Sequence, residues 1–186
     1  MNTSKKTVVF AAILGLGMWM SLLPACSKSS SPAKMTLYDS LGGTAKVSDP
    51  ANPGAMIEKG RLGLRSVVDS AIFVIAGDSK INGYFTVLLG EVTAGNTSGF
   101  MALSKNLTDF FCVATGAKNF TYSGKSMTAA HDPATNSRIT MKVDSADFDQ
   151  FVADVVTAAQ KNGLSNQLIG QVGTVIYSVE GAVVQR

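Results

Sequence analysis

The residues from Tyr122 to His131 (Tyr-Ser-Gly-Lys-Ser-Met-Thr-Ala-Ala-His) end on the only histidine of the 186-residue chain. One imidazole cannot build a multi-histidine zinc site. It suffices for an iron that brings four ligands of its own, as haem iron does, because the protein then adds a single nitrogen. In that role the neutral ring binds through one nitrogen and donates from the other to a backbone carbonyl or water. Asp132 follows directly, but adjacent residues rarely face each other and no Gly-x-Ser-x-Gly run marks a hydrolase. Of the two cysteines, Cys112 lies beside Phe110 and Phe111 and reads as a buried thiol, with a redox role as the alternative. The chain has no Cys-x-x-Cys-His run, so any haem is expected to be held non-covalently. No Walker motif or dinucleotide fingerprint occurs in the domain.

The elements that must position His131 are helical by their periodicity. Leu64, Val67, Val68, Ala71, Ile72 and Ile75 recur at helical spacing and form one apolar stripe. Leu103, Leu107, Phe110, Phe111 and Ala114 repeat it, as do Phe148, Phe151, Val152, Val155 and Ala159. Asp144 or Ser145 caps the third of these helices, Asn162-Gly163 stops it, and Ser165 or Asn166 caps the fourth. That last stripe runs Leu168, Val172, Val175, Ile176, Val179 and Val183. Taken alone, its β-branched end from Gly173 to Val184 also suits a strand, but alternation fails at Val175-Ile176 and Val183-Val184. Asp49–Gly54, Gly90–Gly99 and Asp132–Ser137 read as loops. Four principal helices, a short Thr36–Leu41 element and two long connections suit two antiparallel helix pairs crossing over a pocket rather than an up-down bundle.

The chain opens with Lys5 and Lys6, then an apolar run from Thr7 to Leu23, then Leu23-Pro-Ala-Cys26. This order reads as a lipoprotein signal peptide over residues 1–25, with Cys26 as the lipidated new N-terminus (palmitate-type acylation) and residues 26–35 as a polar tether. An uncleaved membrane anchor is the alternative, since the run nearly reaches spanning length. Either reading puts residues 36–186 in the cell envelope, outside the cytoplasmic membrane and attached to a membrane. Ser27 after the cysteine resembles lipoproteins passed to an outer membrane, with the domain facing the periplasm. Of 16 basic residues, Lys5 and Lys6 fall in the signal, leaving 14 against 13 acidic ones. A near-neutral domain without a Lys/Arg cluster argues against nucleic acid as a partner. Beyond the tether lies one ordinary domain, large enough to bury a core and one cofactor. With Cys26 lipidated, Cys112 has no partner for an intramolecular disulfide.

The Tyr-x-Gly-x-x-Met-x-x-x-His run resembles the proximal region of truncated haemoglobins, group 1 type. Leu37-Tyr38-Asp39-Ser40-Leu41-Gly42-Gly43 resembles the opening segment of that family, and Val67 to Phe85 aligns without gaps to its second helix and following turn. Asp109-Phe110-Phe111 is similar to its distal helix, Gly116 to part of the glycine-rich break after it, Arg138-Ile139-Thr140 to a haem-edge segment, and Asn162-Gly-Leu-Ser165 to its last turn. The resemblance covers most of residues 36–184. It implies an all-α truncated globin, a two-over-two helical sandwich, with pentacoordinate haem b on His131. It also implies haem contacts from Phe85, Leu103, Leu107, Phe111, Met127 and Ile139, and reversible binding of O2, CO or NO. Tyr122, Lys125 and Arg138 are candidates for the haem propionates, or equally for solvated surface. The apolar residues fit a plain core as well as a haem pocket, and spacing alone does not separate the two.

The chain departs from the family at three places. Insertions over roughly Thr44–Arg65 and Gly90–Gly99 lengthen two connections. Ala71-Ile72 stands where the family has Phe-Tyr, whose tyrosine hydroxyl donates a hydrogen bond to bound oxygen. With Leu103 and Leu107 at positions where some relatives place glutamine, Ile72 completes an expected apolar distal pocket, unless Asn96, Thr97 or Ser98 reaches over it. A gas-binding protein is expected rather than an enzyme. A haem enzyme (NO dioxygenase or peroxidase-like, with an unidentified electron donor) and a globin-scaffold lipoprotein without haem are the alternatives.

Overall fold

The computed structural model describes residues 34–186. The expected signal peptide, Cys26 and most of the tether lie outside the described residues. In chain order the described elements are α1 (Leu37–Ser40), β1 (Lys46–Ser48), β2 (Met56–Glu58), α2 (Lys59–Gly77) and a 3-10 turn at Asn82–Phe85. They continue with α3 (Thr86–Thr93), α4 (Ser98–Ala114), α5 (Met127–His131), α6 (Ser145–Lys161), α7 (Asn166–Tyr177) and α8 (Glu180–Val183). No single helix among them is long and apolar enough to cross a membrane.

The central helix is α2, which packs against both α4 and α6, while α7 packs on α6. Its whole predicted stripe, Leu64, Val67, Val68, Ala71, Ile72 and Ile75, is buried. Off the stripe, Phe73 stays 69% exposed, which fixes the helical register. Facing it are Phe111 and Cys112 from α4, Phe148, Val152, Val155 and Ala158 from α6, and Val172 and Ile176 from α7, in one core. Each Leu- or Phe-sized side chain removed from water there contributes about 1.5–3 kcal/mol. Cys112 is wholly buried, and burial pushes its thiol up to about 11 against the opposing pull of Arg61. At neutral pH it is an inert core thiol.

The helix ends follow their local chemistry. Asp144 caps α6 in a reciprocal box with Asp147, and Ser165 rather than Asn166 caps α7, its hydroxyl accepting from the Leu168 amide. Asn162 ends α6, and Gly163 follows at φ +75. Tyr38 of α1 is buried and donates to Glu58 at 2.8 Å. It lies so close to Gly60 that a Cβ there would sit 2.9 Å from the ring.

Two sequence expectations need correction, and one insertion holds more structure than the sequence showed. In the Thr44–Arg65 insertion the Asp49–Gly54 stretch is a turn as expected, but β1 and β2 pair antiparallel on either side of it, Lys46 opposite Glu58, and α2 begins at Lys59. Asp49 organises the turn, accepting from the Asn52 amide group (2.8 Å) and the Ala51 backbone (3.0 Å) and pairing with Arg65 (2.6 Å). Most of Gly90–Gly99 is helical as well, since α3 runs to Thr93 and α4 starts at Ser98. Burial of Leu88 within α3 outweighs the roughly 1 kcal/mol that Gly90 costs a helix. Finally, the Leu168–Val183 stripe is two helices. After Tyr177 the Ser178 hydroxyl takes the Val175 carbonyl at 2.6 Å, and the chain turns so that Val184 bridges Val143.

Candidate functional site

The short helix α5 exists to present its last residue. Ser126 caps it, its hydroxyl accepting from the Ala129 amide, and His131 closes it. The ring nitrogen Nδ1 lies 2.8 Å from the Met127 carbonyl one turn back. A carbonyl only accepts, so Nδ1 carries the proton and Nε2 keeps its lone pair. Among the described residues Nε2 makes no hydrogen bond. Burial lowers the affinity of the ring for a proton more than the Met127 bond raises it, so the imidazole is neutral. The chain beyond is tied back by Thr135 Oγ1 to the Ala129 carbonyl (2.8 Å) and Asn136 Nδ2 to the Ala130 carbonyl (2.7 Å).

His131 lines an open cleft whose empty volume, counting the part open to solvent, is about 1120 Å³. Small-molecule and cofactor sites are concave and mostly apolar, with a few placed polar groups. Ile72 of α2, Phe85 of the 3-10 turn, Leu103, Leu107 and Phe111 of α4, Met127 of α5 and Ile139 all line it with His131. Residues dispersed from 72 to 139 thus converge on one cavity. Asn96, Thr97 and Ser98 are not among its lining residues. Asn96 instead accepts from the Ser98 hydroxyl (2.8 Å) and backbone (3.1 Å).

Tyr122 is a layer removed. Its hydroxyl donates to the Lys125 carbonyl at 2.6 Å, and its ring meets edge-on that of Phe110, which does line the cleft. Lys125 donates to the Thr135 carbonyl, and Arg138 pairs with Glu91 at 3.0 Å.

Sequence reasoning missed the polar side of the cleft. Tyr84 and Asp147 both line it, and the Tyr84 hydroxyl donates to the Asp147 carboxylate. Arg186 donates to both, at 3.1 and 2.8 Å. Burial, then the Asp147 bond, pushes Tyr84 up to about 12, so its phenol stays protonated. Against burial, the Tyr84 and Arg186 bonds hold Asp147 down at about 2. Asp144 was expected as a cap, but the contact of Asp147 with Tyr84, 63 residues away, left no local signal.

These residues fit a haem. The described residues contain no group of three or more metal-ligating side chains, so the donor set here is one neutral imidazole. That set suits a metal arriving with its other ligands, and the apolar walls suit a flat macrocycle.

No protein-family model and no curated protein matches the chain. Among solved structures, it is similar to truncated haemoglobin from Tetrahymena pyriformis in the Fe(III) form, at 20% identity and a TM-score of 0.57. That likeness covers 82% of this chain and 100% of that one. It is also similar to the 2/2 haemoglobin from Synechococcus sp. PCC 7002, solved in the cyanomet state with covalently attached haem. The identity there is 22% and the TM-score 0.56, again over 82% of this chain and 100% of that one. With α2 between α4 and α6 and α7 on α6, the chain has the truncated-globin fold, an all-α two-over-two helical sandwich.

Proposed function

We propose that the chain is a truncated haemoglobin of group 1 type that holds haem b non-covalently on His131 and reversibly binds a diatomic gas (O2, CO or NO). The observation that carries this reading is the state of His131: neutral, with Nδ1 committed to the Met127 carbonyl and Nε2, unbonded among the described residues, beside an apolar cleft. The Tetrahymena and Synechococcus structures are both haemoglobins, which supports it. Bound haem would supply the iron on which a small gas is held. The chain does the rest. The Met127 carbonyl fixes the tautomer and orientation of His131. Phe85, Leu103, Leu107, Phe111 and Ile139 keep water out, and Ile72 offers no proton to a ligand.

Purified protein supplied with hemin is expected to show a histidine-ligated haem spectrum. His131→Ala should change that spectrum and weaken retention. A well-folded wild type that takes up no hemin would rule the reading out.

The sequence of the N-terminus supports a location in the cell envelope: a lipoprotein anchored through acylated Cys26, facing the periplasm and sorted by Ser27 to an outer membrane. Two or more acyl chains bury far more methylene than one, at about 0.8 kcal/mol per CH2, so the attachment is stable. Cys26→Ser should leave an unprocessed precursor; normal maturation of that variant would overturn the assignment.

A further inference from the structure

Three segments that wall the cleft meet at one ion pair. From α3 come Leu88 and Leu89, from α4 come Leu103 and Leu107, and from the chain beyond His131 comes Ile139. Glu91 lies on α3 one turn past Leu88, and Arg138 immediately precedes Ile139. Arg138 donates from both Nε and Nη2 to Glu91 Oε1, at 3.2 and 3.0 Å. The arginine side chain is 45% exposed and the glutamate 22%, so the pair forms the solvent edge of an otherwise apolar wall.

The other carboxylate oxygen, Oε2, is buried and has no hydrogen-bond partner among the described residues. It rests against the first turn of α4: a Cβ on Gly99 would stand 2.1 Å from it and 3.3 Å from Arg138 Cζ. Only glycine leaves room for the carboxylate there. A buried carboxylate oxygen without a partner is costly and regains water when the pair opens. The contact is therefore held shut on one side and strained toward release on the other. Behind it the same stretch of chain has a second tie, from Thr140 Oγ1 to the Gly83 carbonyl at 2.9 Å.

We propose that Glu91 and Arg138 form a clasp across the rim of the cleft that sets how fast the cofactor exchanges, without touching its axial ligand. The inference rests on the haem reading of the same cleft. Opening the pair parts α3 and the start of α4 from the segment that carries Ile139, which widens the cleft at its exposed edge. Glu91 and Arg138 act as positioning residues, so the readout is a rate of cofactor loss rather than any activity.

The test loads full-length wild type, Glu91→Gln, Arg138→Gln and the double variant with hemin, then follows transfer to an excess of a high-affinity apoglobin. Each single variant is expected to lose hemin roughly fivefold faster, about the ceiling for a partly exposed pair, and the double variant no faster than either single one. The visible spectrum of the loaded proteins stays that of wild type, since His131 is untouched. Added salt should accelerate loss from wild type and leave the variants nearly unmoved. Unchanged or additive rates would overturn the clasp. So would slower loss from Glu91→Gln, which would mean that Glu91 competes with the cofactor for Arg138. Wild type that never takes up hemin overturns the haem reading itself, whereas uptake with unaltered variant rates overturns the clasp alone.

Discussion

At the scale of single residues, the proposed gas binding makes ligand choice turn on what Ile72 lacks. It is buried in α2 and lines the cleft along with Leu103 and Leu107, none of which carries a hydrogen-bond donor. The polar lining residue Tyr84 spends its proton on Asp147. Dioxygen held in such a site gains nothing from its surroundings, and a neutral hydrogen bond there would contribute about 0.5–1.5 kcal/mol. Carbon monoxide is much less polar and loses little by the absence. Since 1.4 kcal/mol is a factor of ten, oxygen should leave wild type about two- to tenfold faster than a variant with a donor. Ile72→Tyr places a hydroxyl on the same helix face and is expected to slow oxygen release while changing carbon monoxide release much less. Stopped-flow measurement of both rates checks this. Slow release in wild type that the tyrosine leaves unaltered would mean that Ile72 does not face the ligand.

At the scale of elements, the join between α1 and α2 shows how closely the frame is built. Tyr38 is locked by its bond to Glu58, and Gly60 lets α2 pass against it: a Cβ would stand 2.9 Å from the ring and 3.0 Å from the Gly43 backbone nitrogen. Neither neighbour yields easily, one being a buried ring and the other main chain. Gly60→Ala should therefore destabilise by about 1–3 kcal/mol, the usual cost of overpacking, and lower Tm by several degrees. None of these residues lines the cleft, so the haem spectrum should not change. An unaltered melting curve would show that α1 can shift at little cost. The frame itself was legible in the sequence. The stripes of α2, α4, α6 and α7 are period-3.6 patterns, and the caps at Asp144 and Ser165 are local signals. That Ile72, Phe85, Met127 and Ile139 would share one cleft could be expected only by resemblance, because an apolar residue reads the same in a core and in a cleft. The β1–β2 hairpin, helix α3 and the break at Ser178 were not legible. Each depends on partners far along the chain or on packing, such as Val143 for Val184 and Arg65 for Asp49. The tie of Tyr84 to Asp147 escaped for the same reason.

At the scale of the whole molecule, two carboxyls, a half-buried Asp147 and a buried Asp154, pull stability in opposite directions with pH. Asp147 is held down at about 2, so its contribution is present above the ordinary carboxyl range near 4 and is lost as pH falls toward 2. Asp154 of α6 is the opposite case. It is 6% exposed, Oδ2 has no hydrogen-bond partner among the described residues, and burial followed by the nearby Asp78 carboxylate raises its pKa. A carboxyl whose folded pKa is raised stabilises below its unfolded pKa, and that stabilisation is lost as pH rises through the folded value. At neutral pH Asp154 is therefore a liability: burial and the nearby Asp78 both disfavour its charged form. Asp154→Asn keeps the shape and removes the charge. It should raise stability at pH 7 by about 1 kcal/mol, the size of a typical buried polar imbalance. For a domain of this size that corresponds to roughly 2–4 °C in Tm. Near pH 4 the advantage should shrink, because the raised pKa keeps the wild-type carboxyl more protonated in the fold than an ordinary carboxyl would be. Thermal melts of wild type and Asp154→Asn at both pH values decide the matter. An equal gain at pH 4 and pH 7 would point to a packing effect instead of a charge, and a loss at pH 7 would mean that the ionised Asp154 holds a bond the asparagine cannot make.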